Sequence, residues 1–233
     1  MIARMNNDDS SQRLNKFLAL HLGVSRRQAD NLIEQGVVVV NDTPAILGAR
    51  IAETDKVFVK GKLVDTETAY IYLALHKPAG YVCSRRSQGD SPTVYKLLPA
   101  EYQRLKTVGR LDRDSSGLIL LTNDGDFAQR MTHPSYHKIK QYDVVLDRPL
   151  EPLHQQMISD IGINLDDGKS QLTLERQSDD RTEWQVTMSE GRNRQIRRTF
   201  TAVGYTVIAL HRTKFGDYSL GNLESGALSV VSA

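Results

Sequence analysis

Residues 109–126 read GRLDRDSSGLILLTNDGD. Leu118 to Thr122 is a short, continuous apolar run, and Asn123-Asp124-Gly125 ends it, which predicts a buried strand closed by a turn. Asp112 stands on the loop just ahead of that strand, where a reactive carboxylate is commonly held. Asp, Ser and Gly also make plain turns, so Asp112 by itself does not decide the matter. Asp126 to Met131 then reads as a short helix ended by Pro134.

Outward from this stretch the pattern is strand-rich. Ile71 to Leu75 suggest a strand stopped at Lys77-Pro78-Ala79-Gly80, and Tyr142 to Leu146 suggest another. Trp184, Val186 and Met188 alternate with polar residues, as in a half-buried strand. Gln195 to Val203 reads as a helix followed by Gly204, and Val207 to Leu210 as a further strand. Residues 189–214 carry Arg192, Arg194, Arg197, Arg198, Arg212 and Lys214 against Glu190 alone, a local charge of 6 − 1 = +5. Such a cluster suits a polyanion, or equally a solvated basic helix.

The N-terminal part is organised differently. Residues 1–11 read as a polar tail. Leu14, Phe17 and Leu18 fall at helical spacing in a segment ending near Gly23. A second helix opens on Ser25 with Gln28 three residues on, a capping box, and Gly36 suits its left-handed cap. Val37 to Val40 and Val57 to Val59 read as strands, the first turned by Asn41-Asp42. Arg26 and Arg27 sit in the first turn of the second helix, where positive charge opposes the helix dipole by roughly a few tenths of a kcal/mol. An anion drawn to the free N–H groups would offset that conflict. Residues 61–70 read as a polar linker. The boundary is expected near residue 68, separating a module at 12–66 from a larger domain at 67–233.

Composition bounds the rest. The chain has 233 residues, 39% apolar and 25% charged, with a net charge of 30 − 28 = +2 and a pI near 8.6. That is ordinary globular composition. No apolar run approaches 18 residues, so no membrane span is expected. The opening MIARMNNDDS lacks an apolar segment, so no secretory signal is expected. A single cysteine, Cys83, excludes an internal disulfide and any multi-cysteine metal site, and points to a reducing, cytoplasmic compartment.

Taken together the motifs are far more specific than any one of them. Arg13-Leu14-Asn15-Lys16-Phe17-Leu18 and Val24-Ser25-Arg26-Arg27 resemble an S4 RNA-binding domain. His76-Lys77-Pro78-Ala79-Gly80, the 109–126 stretch, Lys140-Gln141-Tyr142, EGRNRQIRRTFTAVG (190–204) and Leu210-His211-Arg212 resemble the catalytic domain of bacterial ribosomal pseudouridine synthases of the RsuA/RluB type. The resemblance implies an α+β architecture: a small S4 module plus a larger, mixed, mainly antiparallel β-sheet domain flanked by helices. It also implies isomerisation of a uridine in ribosomal RNA, with no cofactor and no metal. Asp112 would act at the sugar, as nucleophile or as base toward the 2′-proton. Arg197 would be its basic partner. Tyr142 would stack on the uracil and assist proton transfer, with Ile196 as the opposite wall. Arg110 would fill the gap left by the flipped base. Arg192, Arg194 and Arg198 would grip phosphates. Arg13, Lys16, Arg26 and Arg27 would supply a second phosphate site, and two tethered weak sites raise avidity.

Further expectations are a monomer, a ribosomal RNA or subunit-precursor partner, and a lean toward large-subunit RNA from the E-G-R-N-R-Q segment. Aromatic residues make up 6% of the chain, so stacking platforms beyond Tyr142 are few. The basic segment is followed by no basic tail, which assigns most accessory binding to the S4 module. A non-catalytic ribosome-assembly factor is the competing reading, but such a protein would be free to lose Asp112, Tyr142 and Arg197. A hydrolase pairing Asp112 with Asp124 is disfavoured, because Asp124 sits in a turn.

Overall fold

The computed structural model describes residues 11–66 and 69–233. The tail at 1–10 and the expected boundary near residue 68 lie outside the described residues. The chain divides into two compact units, 1–70 and 71–233, each taken by itself.

In the first unit, β1 (Gln12–Arg13) leads into α1 (Leu14–His21) and α2 (Arg26–Glu34). Ser25 caps α2: its hydroxyl accepts from the Gln28 N–H while the Gln28 side chain accepts from the Ser25 N–H. Gly36 follows with φ +68°, a conformation that favours glycine. Then come β2 (Val38–Val40), β3 (Thr43–Pro44), β4 (Arg50–Ile51), β5 (Val57–Val59) and β6 (Lys62–Leu63). They form a four-stranded sheet in the order β3-β2-β5-β6 and a β1–β4 pair. Leu14, Phe17, Leu18, Ala29, Ile33, Val38 and Val57 make one small core. The expected linker at 61–70 is structured at its start. Leu63 pairs with Phe58, and Val64 is buried in the same core, so an apolar pair within a polar stretch continues the sheet.

The second unit is built on one nine-stranded sheet. Its elements are β7 (Tyr72–Lys77), β8 (Lys106–Val108), β9 (Ser116–Thr122), α3 (Gly125–Thr132), β10 (Lys140–Leu146), α4 (Pro152–Gln156), β11 (Ile163–Leu165), β12 (Gly168–Ser170), β13 (Thr173–Arg176), β14 (Glu183–Met188), α5 (Gln195–Ala202), β15 (Val207–Phe215), β16 (Tyr218–Ser219) and β17 (Leu228–Val230). The sheet order is β13-β14-β10-β15-β9-β7-β17, with β16 on β15 and β8 on β9; β11 and β12 form a separate hairpin. Within the nine-stranded sheet only β9 and β15 run parallel. The architecture is α+β, with a mixed and mainly antiparallel sheet. Among the described residues no helix is long and apolar enough to cross a membrane.

β9 is covered on both faces, which explains its unbroken apolar run. Ile119 and Leu121 join the core beneath α5, with Val144, Trp184, Val186 and Phe200. Leu118 and Leu120 face Phe127 and Met131 of α3. Burying a side chain such as Phe200 contributes roughly 1.5–3 kcal/mol.

Two strands run further than expected. β7 continues through Lys77, and β15 continues through Arg212 to Phe215. Both extensions carry a buried cation, which hydropathy reads as a strand end. At the parallel seam Gly117 pairs with Arg212 at φ +104°, and a Cβ there would lie 2.3 Å from the Arg212 carbonyl oxygen. Only glycine permits that approach.

Candidate active site

The loop before β9 and the loop before α5 meet over a cleft of about 320 Å³. Asp112, Arg110 and Ser115 line it from the first loop, and Arg194 and Ile196 from the second. Tyr142, Lys140, Arg212 and Phe215 contribute from β10 and β15. The volume lies at the low end for sites that hold small ligands.

The Asp112 loop is held from below. The Ser115 N–H donates to the Asp112 carbonyl (3.1 Å), and the Gly80 N–H to that of Arg113 (2.7 Å). Lys77 is fully buried, and its ammonium donates to the carbonyls of Pro78 (3.0 Å), Arg113 (3.4 Å) and Ser115 (2.5 Å). Burial lowers the Lys77 pKa. The Asp112 carboxylate, one-third exposed, accepts a hydrogen bond from Arg194 Nη1 at 3.4 Å.

That contact differs from the expectation that placed Arg197 beside Asp112. Arg197 donates instead to the carbonyls of Val207 (2.6 Å) and Asp114 (3.2 Å). It braces the loop backbone next to Asp112 rather than the carboxylate. Burial and the charge of Arg194 lower its pKa. Arg194 reaches across because its backbone is left-handed, φ 45° and ψ 33°, at the start of α5. A non-glycine residue in that region costs of order 1–3 kcal/mol and clusters at functional sites.

Arg192 and Arg198, expected to grip phosphates, are both engaged by carboxylates of the chain. Arg192 donates to Glu190 (3.0 Å), Asp167 (3.0 Å), and the carbonyls of Gly168 and Lys169. Arg198 pairs with Asp167 at 2.7 Å. Gln195, buried, joins Glu190 to Ser170, and Thr199 donates to the Ser170 hydroxyl. Part of the basic run is therefore paired in space: Asp167 of the β11–β12 turn takes Arg192 and Arg198, and Asp112 takes Arg194.

Arg110 is exposed at the cleft, while Tyr142 and Ile196 are buried in its lining. Asp124 stands away from the cleft. It caps α3 through the Asp126 and Phe127 N–H groups and accepts from the Tyr72 hydroxyl, a structural task. In the first unit Arg13, Arg26 and Arg27 are exposed and Lys16 is half-buried. Arg26 donates to the neutral side chain of Asn15. Among the described residues no three His, Cys, Asp or Glu side chains gather where a metal ion could sit.

Sequence reasoning gave no individual role to Lys77, Lys140, Arg212 or Asp167. The first three stand inside stretches quoted for the resemblance, which was the available signal. Asp167 had none. Lys140 is buried under the cleft and donates to the carbonyls of Lys138, Ser189 and Glu190, so it tethers the arginine loop. Burial, with the nearby Arg212 charge, brings its pKa down to about 8.

Residues 71–202 match the family described as RNA pseudouridylate synthase, and residues 12–57 match the S4 domain. The chain belongs to the RNA pseudouridylate synthase family. Among its relatives in that family is the ribosomal small subunit pseudouridine synthase A of Pasteurella multocida (strain Pm70), 39% identical, with 95% of this chain and 96% of that one covered. Another is the ribosomal large subunit pseudouridine synthase B of Bacillus subtilis (strain 168), 37% identical over 92% and 90% of the two chains. A solved pseudouridylate synthase superposes with a TM-score of 0.67 at 34% identity, covering 94% of this chain and 96% of that one. This pseudouridine synthase is accordingly an isomerase, with its S4 domain at the N-terminal end.

Proposed function

We propose that the protein converts a uridine of ribosomal RNA to pseudouridine, with Asp112 acting at the ribose. The observation that carries the reading is the Asp112 carboxylate at a nucleoside-sized cleft that Tyr142 also lines, in contact with Arg194. Relatives named for both ribosomal subunits match at 37–39% identity, so the lean toward large-subunit RNA has no support from them, and the substrate is ribosomal RNA of either subunit.

Asp112 either bonds to C1′ or takes the 2′-proton. In both routes the N1–C1′ bond breaks with its electron pair passing to the base, which becomes an anion. The base turns, and C5 bonds to C1′ as the Asp112 carboxylate is displaced from it, or, in the second route, as Asp112 returns its proton to C2′; the C5 proton then leaves and N1 gains one. An ionised carboxylate is needed at the first step, and the Arg194 guanidinium lies against Asp112. Tyr142 forms an aromatic wall for the pyrimidine, with Ile196 also lining the cleft. Arg110, exposed at the rim, is the candidate to occupy the space of the extruded nucleotide. Arg13, Lys16, Arg26 and Arg27 supply phosphate contacts from the S4 unit, which fix position without reading sequence.

The test is pseudouridine mapping of both ribosomal RNAs from cells with and without the gene, followed by assay of Asp112→Asn on the mapped site. One site should vanish in the deletion strain. The variant should keep wild-type melting and RNA affinity with no detectable turnover. Turnover within about tenfold of wild type would overturn the role of Asp112.

A further inference from the structure

Three cations are buried beneath the cleft: Lys77 at 0% exposure, Arg212 at 2% and Lys140 at 9%. None of them has a carboxylate within ion-pair reach among the described residues. A buried charge is costly unless it is paired and hydrogen-bonded, so it matters what each one does with its donors.

The two lysines use theirs. An ammonium carries three N–H groups. Those of Lys77 go to Pro78, Arg113 and Ser115, and those of Lys140 to Lys138, Ser189 and Glu190, all backbone carbonyls. Arg212 is different. It carries five N–H groups, of which Nε donates to the Leu118 carbonyl at 2.7 Å. Nη2 is buried and has no acceptor among the described residues. The guanidinium lies over the Phe215 ring, 4.7 Å from its centroid, and Arg212 is the cross-strand partner of Tyr142. The Ser115 hydroxyl is also buried without a partner, and both residues line the cleft. Buried unsatisfied donors are rare in folded proteins, and each calls for an explanation.

We propose that Arg212 is a further catalytic residue: its free guanidinium N–H groups bond a carbonyl oxygen of the turned-out uracil and stabilise the negative charge the base acquires as N1–C1′ breaks. The inference rests on the uridine-isomerising reading above and adds a group to it. Both routes open to Asp112 deliver the bond's electron pair to the base, so a fixed cation is useful in either. Donors held in place where charge develops act without reorganising during the reaction. The residue type fits the task. Lys140, close by, is pushed toward losing its proton, whereas a guanidinium keeps its charge when buried.

The experiment uses the full chain and an rRNA fragment carrying the mapped position as uridine or as 5-fluorouridine. Fluorine at C5 withdraws charge and stabilises the base anion by itself. Arg212→Met should bind the uridine RNA within about twofold of wild type while its single-turnover cleavage rate falls by about 10²–10³. On 5-fluorouridine that loss should shrink by about tenfold, because less stabilisation is demanded of the protein. A folded Arg212→Met with a wild-type rate overturns the inference, as does an equal loss on both substrates, which would mark a merely structural residue. If Arg212→Met does not keep wild-type melting, Arg212→Lys decides. Its smaller loss must again be smaller on 5-fluorouridine, and an equal loss overturns the inference. Wild type inactive on every rRNA uridine would instead overturn the functional reading itself.

Discussion

The arginines of the two units look alike in sequence and are placed in opposite ways. In the S4 unit Arg13, Arg26 and Arg27 are exposed, and no carboxylate lies within ion-pair reach of them among the described residues. In the catalytic unit Arg192, Arg194 and Arg198 each touch an aspartate, and Arg192 also takes Glu190. A guanidinium can attract a phosphate, or it can hold a loop in one geometry, but a paired one has less left to offer an outside anion. The first group suits docking onto a polyanion. The second builds the wall that carries Asp112. A count of basic residues cannot separate the two, because the separating fact is where the acids are.

The comparison breaks most sharply at Arg192. Arg192→Ala removes two ion pairs and two carbonyl contacts from a side chain only 21% exposed. It should lower unfolding free energy by about 2 kcal/mol, below the 3–5 typical of fully buried pairs. Denaturant unfolding checks this, and a loss under about 0.5 kcal/mol, the range of ordinary surface changes, would return Arg192 to the docking class. The double change Arg26→Ala with Arg27→Ala should behave the other way. Stability should stay within about 0.5 kcal/mol. Affinity for rRNA should weaken, and the slope of log affinity against log salt should become shallower by about 1.4–1.8, two phosphate contacts' worth. An unchanged slope would show that these arginines touch no phosphate.

How much of this was legible in the chain depended on the range over which each fact is decided. The Ser25–Gln28 cap is settled within four residues, and the sequence pattern finds it. The strand 116–122 is settled by packing on both faces, and its apolar run announces that. The far end of β15 was missed because His211, Arg212, Thr213 and Lys214 read as polar, yet Arg212 is buried beneath the cleft. The bracing by Asp167 was missed because its partners lie 25 and 31 residues away and meet it only through the β11–β12 hairpin. Asp112 was legible as a candidate through its motif, whereas the identity of its partner was not. Arg194 and Arg197 are three residues apart on the same stretch, and it is Arg194, whose backbone is left-handed, that reaches the carboxylate.

That backbone offers the smallest and most discriminating change. Arg194 sits at φ 45° where its guanidinium reaches Asp112, so strain and positioning can be tested at one residue. Arg194→Gly removes the steric conflict but also frees the unfolded chain, so the two effects oppose each other. The net change in stability should fall within about 1 kcal/mol of zero. Turnover should fall regardless, because the carboxylate loses its cation while the loop keeps its shape. Arg194→Lys separates strain from charge. It keeps the left-handed residue and a cation but loses the planar fork that reaches Asp112 Oδ2. If Arg194→Lys and Arg194→Gly lose rate equally, it is the guanidinium geometry that positions Asp112; if lysine restores the rate, the charge alone suffices and the strained backbone serves α5.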